Sequence, residues 1–339
     1  MSWEPRFRIT SEIAKNIVEI TEIITKKDLG NFGNDSPQLR RINRLRSLHS
    51  SLAIEGNRLS IEEITSIIDG KMVVGPEREI LEVKNANEAY NEIDSVDPFS
   101  IGDLLKIHGI MMKGLVDNAG SFRTEGEMVI DGEGRIVYHA PPPELVVPLI
   151  TDLLQWVKDS DYPMIIKSCV FHYQFEYIHP FEDGNGRMGR IWQTILLSRY
   201  NESFRWIPVE SIIRMYQSDY YDAIEYSNSE SECTVFLGFM TDAILKALKE
   251  SVESQLREST AIDEDMTFNE LTLYSIIRDG HFKNIDQAAK LMGVSVPTVN
   301  RCLKSLKDHG TIKKIGNKKT GKWIIVTNEL VIDKTDVER

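Results

Sequence analysis

Cysteine is scarce in this chain of 339 residues, with Cys169, Cys233 and Cys302 far apart and odd in number. Their separations match no disulfide framework and no metal-ligand spacing, which fits buried thiols in a reducing compartment. No run of 18 apolar residues occurs, which argues against a membrane-spanning helix. The opening M-S-W-E-P-R has no apolar h-region, which argues against a secretory signal. The expectation is a cytoplasmic protein without a membrane partner. There is no internal repeat and no low-complexity tract. Basic charge is short overall, with 40 Lys+Arg against 52 Asp+Glu and a net charge of −12. The whole chain is therefore no generic polyanion binder. With 41% hydrophobic and 27% charged residues, it is an ordinary globular sequence, long enough for two or three domains.

Against that background one stretch stands out: Ile178–Arg190, reading I-H-P-F-E-D-G-N-G-R-M-G-R. Gly184 and Gly186 free the backbone to curl, so that successive N–H groups point one way and form an anion nest. The apolar run Ile191, Trp192, Ile195, Leu196, Leu197 has helical spacing. The nest should therefore sit at a helix N-terminus, where orphan N–H groups and the macrodipole favour phosphate. Arg187 and Arg190 are three apart, on one face of that helix. Their planar forks suit phosphate oxygens. Asp183 is a hard oxygen ligand of the kind Mg²⁺ takes together with phosphates and water. His179 is the group able to accept a proton near neutral pH. Together they describe a place to hold a metal-bound phosphate chain beside a hydroxyl that loses its proton.

These residues resemble the signature of the Fic family, H-x-F-x-[DE]-G-N-G-R-x-x-R, at His179, Phe181, Asp183, Gly184, Asn185, Gly186, Arg187 and Arg190. Six fixed residues at roughly one in twenty each give a chance match on the order of 10⁻⁸ per starting point. The resemblance implies a protein adenylyltransferase that uses ATP and Mg²⁺. His179 would be the base, Asp183 the metal ligand, and Gly184, Asn185, Gly186, Arg187 and Arg190 the phosphate cradle. Tyr220 or Tyr221 would pack on the adenine or ribose. Upstream, Ser51, Glu55 and Gly56 match the [ST]-x-x-x-E-[GN] pattern of an inhibitory helix in such proteins. That likeness implies that Glu55 pairs with Arg190 and blocks the seat of the γ-phosphate, since a carboxylate competes with phosphate for one fork.

The remaining chain is mostly helical by pattern. Apolar residues stripe 10–26 (Ile13, Ile17, Val18, Ile20, Ile23, Ile24), and 30–37 reads as a loop. Helical patterns follow over 38–53, 59–93 with a break at 70–76, 100–113, 144–156, 163–178, 208–226 and 233–256. His172 on the 163–178 helix reads as structural rather than as a second base. The period switches to two around 127–130 and 135–138, flanking D-G-E-G, which is a hairpin signal. Gly120-Ser121-Phe122-Arg123 resembles the lead-in to the Fic flap. By that likeness Met128, Val129, Ile130, Ile136 and Val137 form a strand edge that docks an extended target segment.

After a polar linker at 261–266, the order helix, turn at Gly293, helix, hairpin resembles a winged helix-turn-helix. Residues 281–324 carry ten Lys/Arg and two acids, so +8, which leaves −20 for the remainder. Such asymmetry suits a phosphate-facing surface, with Ser295, Thr298, Asn300 and Arg301 opening the second helix. The expected architecture is mainly α: a Fic-type helical bundle with a β-hairpin flap, plus a small C-terminal winged helix domain. The expected divisions are 1–98, 99–260 and 261–339. The expected activity is transfer of AMP to a Ser, Thr or Tyr hydroxyl of a target protein, or of the protein itself. The alternative is a nucleotide-responsive DNA regulator acting through 284–322. DNA binding and homodimer formation stay open at this stage.

Overall fold

The computed structural model describes residues 4–25, 37–130, 136–259, 266–278, 281–315 and 322–326. Residues 30–36 of the loop read at 30–37, the D-G-E-G turn at 131–134 and residues 261–265 of the linker read at 261–266 lie outside them, whereas Pro37 already begins a helix. The chain forms two compact units, 1–260 and 261–339.

The first unit is a helical assembly built around α7 (Met164–Ile178) and α8 (Asn185–Tyr200), which pack on each other. α7 is apolar on most faces, and α8 buries Asn185, Arg187, Arg190 and Gln193 together with its apolar residues, so both are mostly buried. A helix that is hydrophobic all round belongs in the middle of a domain. α6 (Val146–Asp159) and α11 (Thr234–Ser259) cover α7. α5 (Ile101–Met111) and α2 (Pro37–Ile54) reach α8 from the other side. Residues 1–98 belong to this same unit: α1 (Ser11–Thr25) packs on α11, and α2 on α9 (Val209–Met215).

Several boundaries follow from local chemistry. α3 (Ile61–Ile68) starts with a capping box, Ser60 with Glu63. α4 (Glu77–Asn91) follows Pro76, and α5 is capped by Ser100. The buried stripe of α1 is Ile13, Asn16, Ile20 and Ile24, whereas Val18 is 58% exposed. An asparagine thus takes a core position, and its amide donates to Thr241 Oγ1. The single helix expected over 208–226 is two: α9 and α10 (Gln217–Glu230) break at Tyr216, whose ψ of 39° leaves the helical region. The hairpin is antiparallel, with β1 (Met128–Ile130) pairing β2 (Ile136–His139) and a register irregularity between Val129 and Ile130.

The second unit contains α12 (Phe268–Arg278), α13 (Ile285–Met292), α14 (Val296–Asp308) and an antiparallel pair, β3 (Ile312–Ile315) with β4 (Lys322–Ile325). Its core gathers Leu273, Ile276, Ala288, Met292, Val299, Leu306 and Ile312. Asn284 and Ser295 cap α13 and α14, and Gly293 takes the left-handed turn between them (φ 67°).

Candidate active site

The site is the turn from α7 to α8. α7 ends at His179, whose backbone is left-handed (φ 49°, ψ 61°) with Pro180 next in the chain. That conformation costs a side-chain-bearing residue roughly 1–2 kcal/mol, and the surrounding structure offsets it. His179 N–H donates to Phe175 O at 2.9 Å. Arg123 Nε donates to His179 O at 2.7 Å. Nδ1 of His179 lies 3.3 Å from Glu176 O, which assigns the proton to Nδ1. Nε2 then carries the lone pair, and among the described residues it has no protein partner. Burial pulls the imidazole below its ordinary value, the Glu176 carbonyl partly offsets this, and the Arg123 charge lowers it further. The ring is thus kept neutral and ready to accept a proton.

Phe181–Asn185 is a closed loop. Asn185 Oδ1 accepts from Phe181 N–H at 2.9 Å, and Asn185 Nδ2 donates to Phe181 O at 2.8 Å. The amide of Asn185 is therefore engaged in holding the loop, and its own N–H remains on the rim of the nest. Phe181 stacks face to face on His108, with ring centroids 3.6 Å apart. His108 Nδ1 accepts from Gly120 N–H, which leaves Nε2–H to donate to Asp183 O at 3.0 Å. Gly184 starts α8 at φ 89° with no side-chain cap. A Cβ there would come within 2.7 Å of Met112 Sδ. Gly184→Ala is expected to lower stability by about 2–4 kcal/mol, from left-handed strain plus overpacking. A denaturant midpoint equal to wild type would contradict this placement.

The two arginines face inward and are buried. Arg187 Nη2 donates to Asp183 Oδ1 at 3.0 Å, and Arg187 Nη1 lies 3.8 Å from Glu82. Arg190 Nε donates to Ser51 Oγ, and Nη2 donates to Ser51 O, both at 3.1 Å. Arg190 Nη2 also meets Glu55 Oε1 at 2.6 Å. Burial alone would ease the proton off Arg190; the charge and hydrogen bond of Glu55, with Tyr220 and Glu176, together outweigh it and hold the guanidinium above its ordinary value. A Cβ on Gly186 would overlap the Glu55 carboxylate. Glu55 thus lies against the first turn of α8, where orphan N–H groups and the dipole favour an anion. Gly56 ends the α2 segment in the left-handed region (φ 90°).

Other expected residues are distributed as follows. Tyr220 is 1% exposed, with its hydroxyl 3.1 Å from His172 Nε2, so it belongs to the core. Tyr221 is 48% exposed and keeps a face open at the rim. His172 has both ring nitrogens engaged, the other at 2.7 Å from Gln193 Oε1, and burial pushes it down to about 3. It is a structural histidine. Met128, Val129, Ile130, Ile136 and Val137 do fall on the paired strands β1 and β2. Asp183 is 38% exposed and also meets Arg78 at 3.3 Å. No group of three or more His, Cys, Asp or Glu converges among the described residues. A metal here would rely on one carboxylate plus ligand oxygens. That donor set fits Mg²⁺, which is commonly held by one or two carboxylates with phosphates and water.

Three contributors, His108, Arg78 and Glu82, were not singled out as site residues in the sequence, and Arg123 was singled out only as part of the flap lead-in. Each acts through a backbone carbonyl or a partner distant in sequence.

A crystal structure of a Fic family protein from Desulfovibrio desulfuricans aligns with 97% of this chain and 100% of its own, at 34% identity and a TM-score of 0.72. The chain belongs to the Fic family. The sequence model of the Fic/DOC family matches residues 98–197, which in this Fic protein run from just before α5 almost to the end of α8. A probable protein adenylyltransferase of Aquifex aeolicus is 27% identical over 302 residues, 83% of this chain and 84% of that protein. Protein adenylyltransferase Fic of Aedes aegypti is 27% identical over 217 residues, 60% of this chain and 41% of that protein. The Fic protein described here thus matches about two fifths of the length of that insect relative.

Proposed function

We propose that this Fic protein transfers AMP from ATP to a hydroxyl of a protein, and that Glu55 restrains it. The observation that carries the reading is the pairing at one turn of a half-buried neutral imidazole, whose Nε2 has no partner among the described residues, with an uncapped helix start flanked by two buried arginines. The names of the relatives from Aedes aegypti and Aquifex aeolicus support the same reaction class.

The chemistry follows from the placement. His179 Nε2 takes the proton of a target Ser, Thr or Tyr hydroxyl. The freed oxygen attacks the α-phosphorus of ATP, forming a P–O bond. The bond between that phosphorus and the oxygen bridging to the β-phosphate breaks, and pyrophosphate leaves. First-turn N–H groups of α8 and Arg187 receive the phosphate charge, and Arg190 takes the γ-phosphate once Glu55 withdraws. Asp183 would hold Mg²⁺, which neutralises charge on the α- and β-phosphates when bound. Positioning and charge neutralisation account for most of the work in such transfers. The antiparallel edge of β1–β2 is the seat for an extended target segment. Tyr221 is the rim residue for the base or ribose.

Asp183→Ala is expected to remove the Mg²⁺ dependence of labelling together with most of the activity. A titration of labelling against Mg²⁺ checks it; an unchanged Mg²⁺ profile would place the ligand elsewhere.

A second reading concerns the C-terminal unit. Ser295, Asn300, Arg301 and Lys304 are exposed along α14, and Lys313 is exposed on β3. Donors and positive charge on an exposed helix after a tight turn suit a DNA groove. In that reading nucleotide binding at the first unit regulates DNA binding by a winged helix-turn-helix. Incubation with labelled ATP separates the two: label on protein that disappears in His179→Ala supports transfer, and operator binding without label supports the regulator.

A further inference from the structure

Arg123 makes an unusual set of bonds for a buried arginine. It is 4% exposed, and among the described residues every hydrogen bond of its guanidinium goes to a main-chain carbonyl. Nε donates to His179 O at 2.7 Å, and Nη2 reaches Ile178 O at 3.3 Å. Its own N–H donates to Pro180 O at 3.0 Å. One residue therefore holds three consecutive carbonyls at the left-handed end of α7. The remaining bonds go elsewhere: Nη1 to Glu125 O at 2.8 Å and Nη2 to Pro141 O at 2.5 Å. Glu125 lies just before β1, and Pro141 lies just after β2. The roots of the hairpin are also joined by Ala140 N–H to Glu127 O at 3.1 Å. The guanidinium is thus the node where both flap roots and the His179 backbone meet. A lysine could supply the charge, but its single nitrogen cannot reach these four side-chain acceptors in fixed directions.

We propose that Arg123 is a positioning residue that ties flap docking to the orientation of His179, so that seating a target strand on β1–β2 and aiming the imidazole are one event. It does so as a cap supplied by a distant part of the chain. The last carbonyls of α7 have no helical partners, and a cation at that end also suits the dipole. Strain at His179 is tolerated because its carbonyl direction is fixed from outside. Arg123 touches neither the α8 first turn nor Arg187 or Arg190, so the nucleotide cradle stays independent of it. The charged groups around the His179 imidazole are Arg123, Glu55 and Asp183, with the Glu176 carbonyl at Nδ1. Arg123 is the cation among them, and its removal raises the imidazole's proton affinity.

The inference rests on His179 being the base, and the test separates the two. In a Glu55→Gly background, Arg123→Lys and Arg123→Met are compared with the parent for self-labelling by labelled ATP over a range of ATP concentrations. Arg123→Lys is expected to lower the maximal rate at least tenfold while the half-saturating ATP concentration stays within twofold. Hydrogen exchange should speed up at 178–181 and 125–141 together, with α8 amides unchanged. NMR titration of the His179 imidazole, assigned by its loss in His179→Ala, should move to higher pH in Arg123→Met. A lysine variant that keeps the parent rate, or one whose rate loss tracks a weakened ATP interaction, overturns the proposal. So does exchange confined to one of the two segments, or an imidazole titration identical to the parent. If the parent itself takes no label, the adenylyl-transfer reading fails, and the exchange and titration results still decide the role of Arg123.

Discussion

Glu55→Gly is expected to raise self-labelling by ATP by roughly ten- to a hundredfold. Glu55 makes a 2.6 Å contact to Arg190, whose side chain is 1% exposed, and its carboxylate lies against Gly186 at the start of α8. A hydrogen bond to a charged group contributes about 1.5–3 kcal/mol, and each 1.36 kcal/mol is a factor of ten in rate. A triphosphate entering this site must displace that bond and also accept a neighbouring negative charge. With glycine at position 55, both obstacles vanish. Arg190 keeps its two bonds to Ser51 and so stays oriented towards the phosphates. The same substitution leaves a buried guanidinium without its carboxylate. The thermal midpoint should therefore fall without nucleotide and recover with saturating ATP, by mass action on the folded state. Labelling unchanged from wild type in a folded Glu55→Gly protein would remove Glu55 from the regulation of this site.

His179→Ala in the same background is expected to lower labelling by about 10²–10⁴-fold, the range general bases supply, with ATP affinity near that of the parent. Among the described residues the imidazole makes no hydrogen bond to Arg187 or Arg190, whose partners are Asp183, Ser51 and Glu55, so nucleotide binding should survive its loss. The pH dependence has a definite sign. The base works neutral, and burial with the Arg123 charge holds its proton affinity below the ordinary histidine value of 6.5. Activity should hold as pH falls through 6.5 and decline only below it. An acid limb centred above 6.5, or a His179→Ala protein that labels like its parent, would contradict the assignment.

The stretch 179–190 was legible because its chemistry is local. A proline after a helix end, a glycine and an amide in the loop Phe181–Asn185, and a second glycine just beyond it specify the turn regardless of distant contacts. The likeness at Ser51 and Glu55 anticipated a partner 135 residues away, and the structure places that partner, Arg190, within hydrogen-bond reach. Arg123 was legible only as part of a flap lead-in, and His108 not at all. Their bonds run to main-chain groups, which carry no residue identity for a pattern to detect. The break at Tyr216 was hidden for a related reason: the apolar period runs on through 208–226, while the backbone turns to fit α10 beside α11. Asn16 took a core position on α1 because Thr241 on α11 offers its amide a partner, and helical periodicity of apolar residues is blind to that exchange.

The most direct test is the intact mass of the Glu55→Gly protein after incubation with ATP and Mg²⁺, beside Glu55→Gly/His179→Ala treated identically. The account predicts chains heavier by one or more adenylyl groups in the first sample and none in the second. Equal masses in both, with ATP bound by each, would show that this turn holds a nucleotide without transferring it.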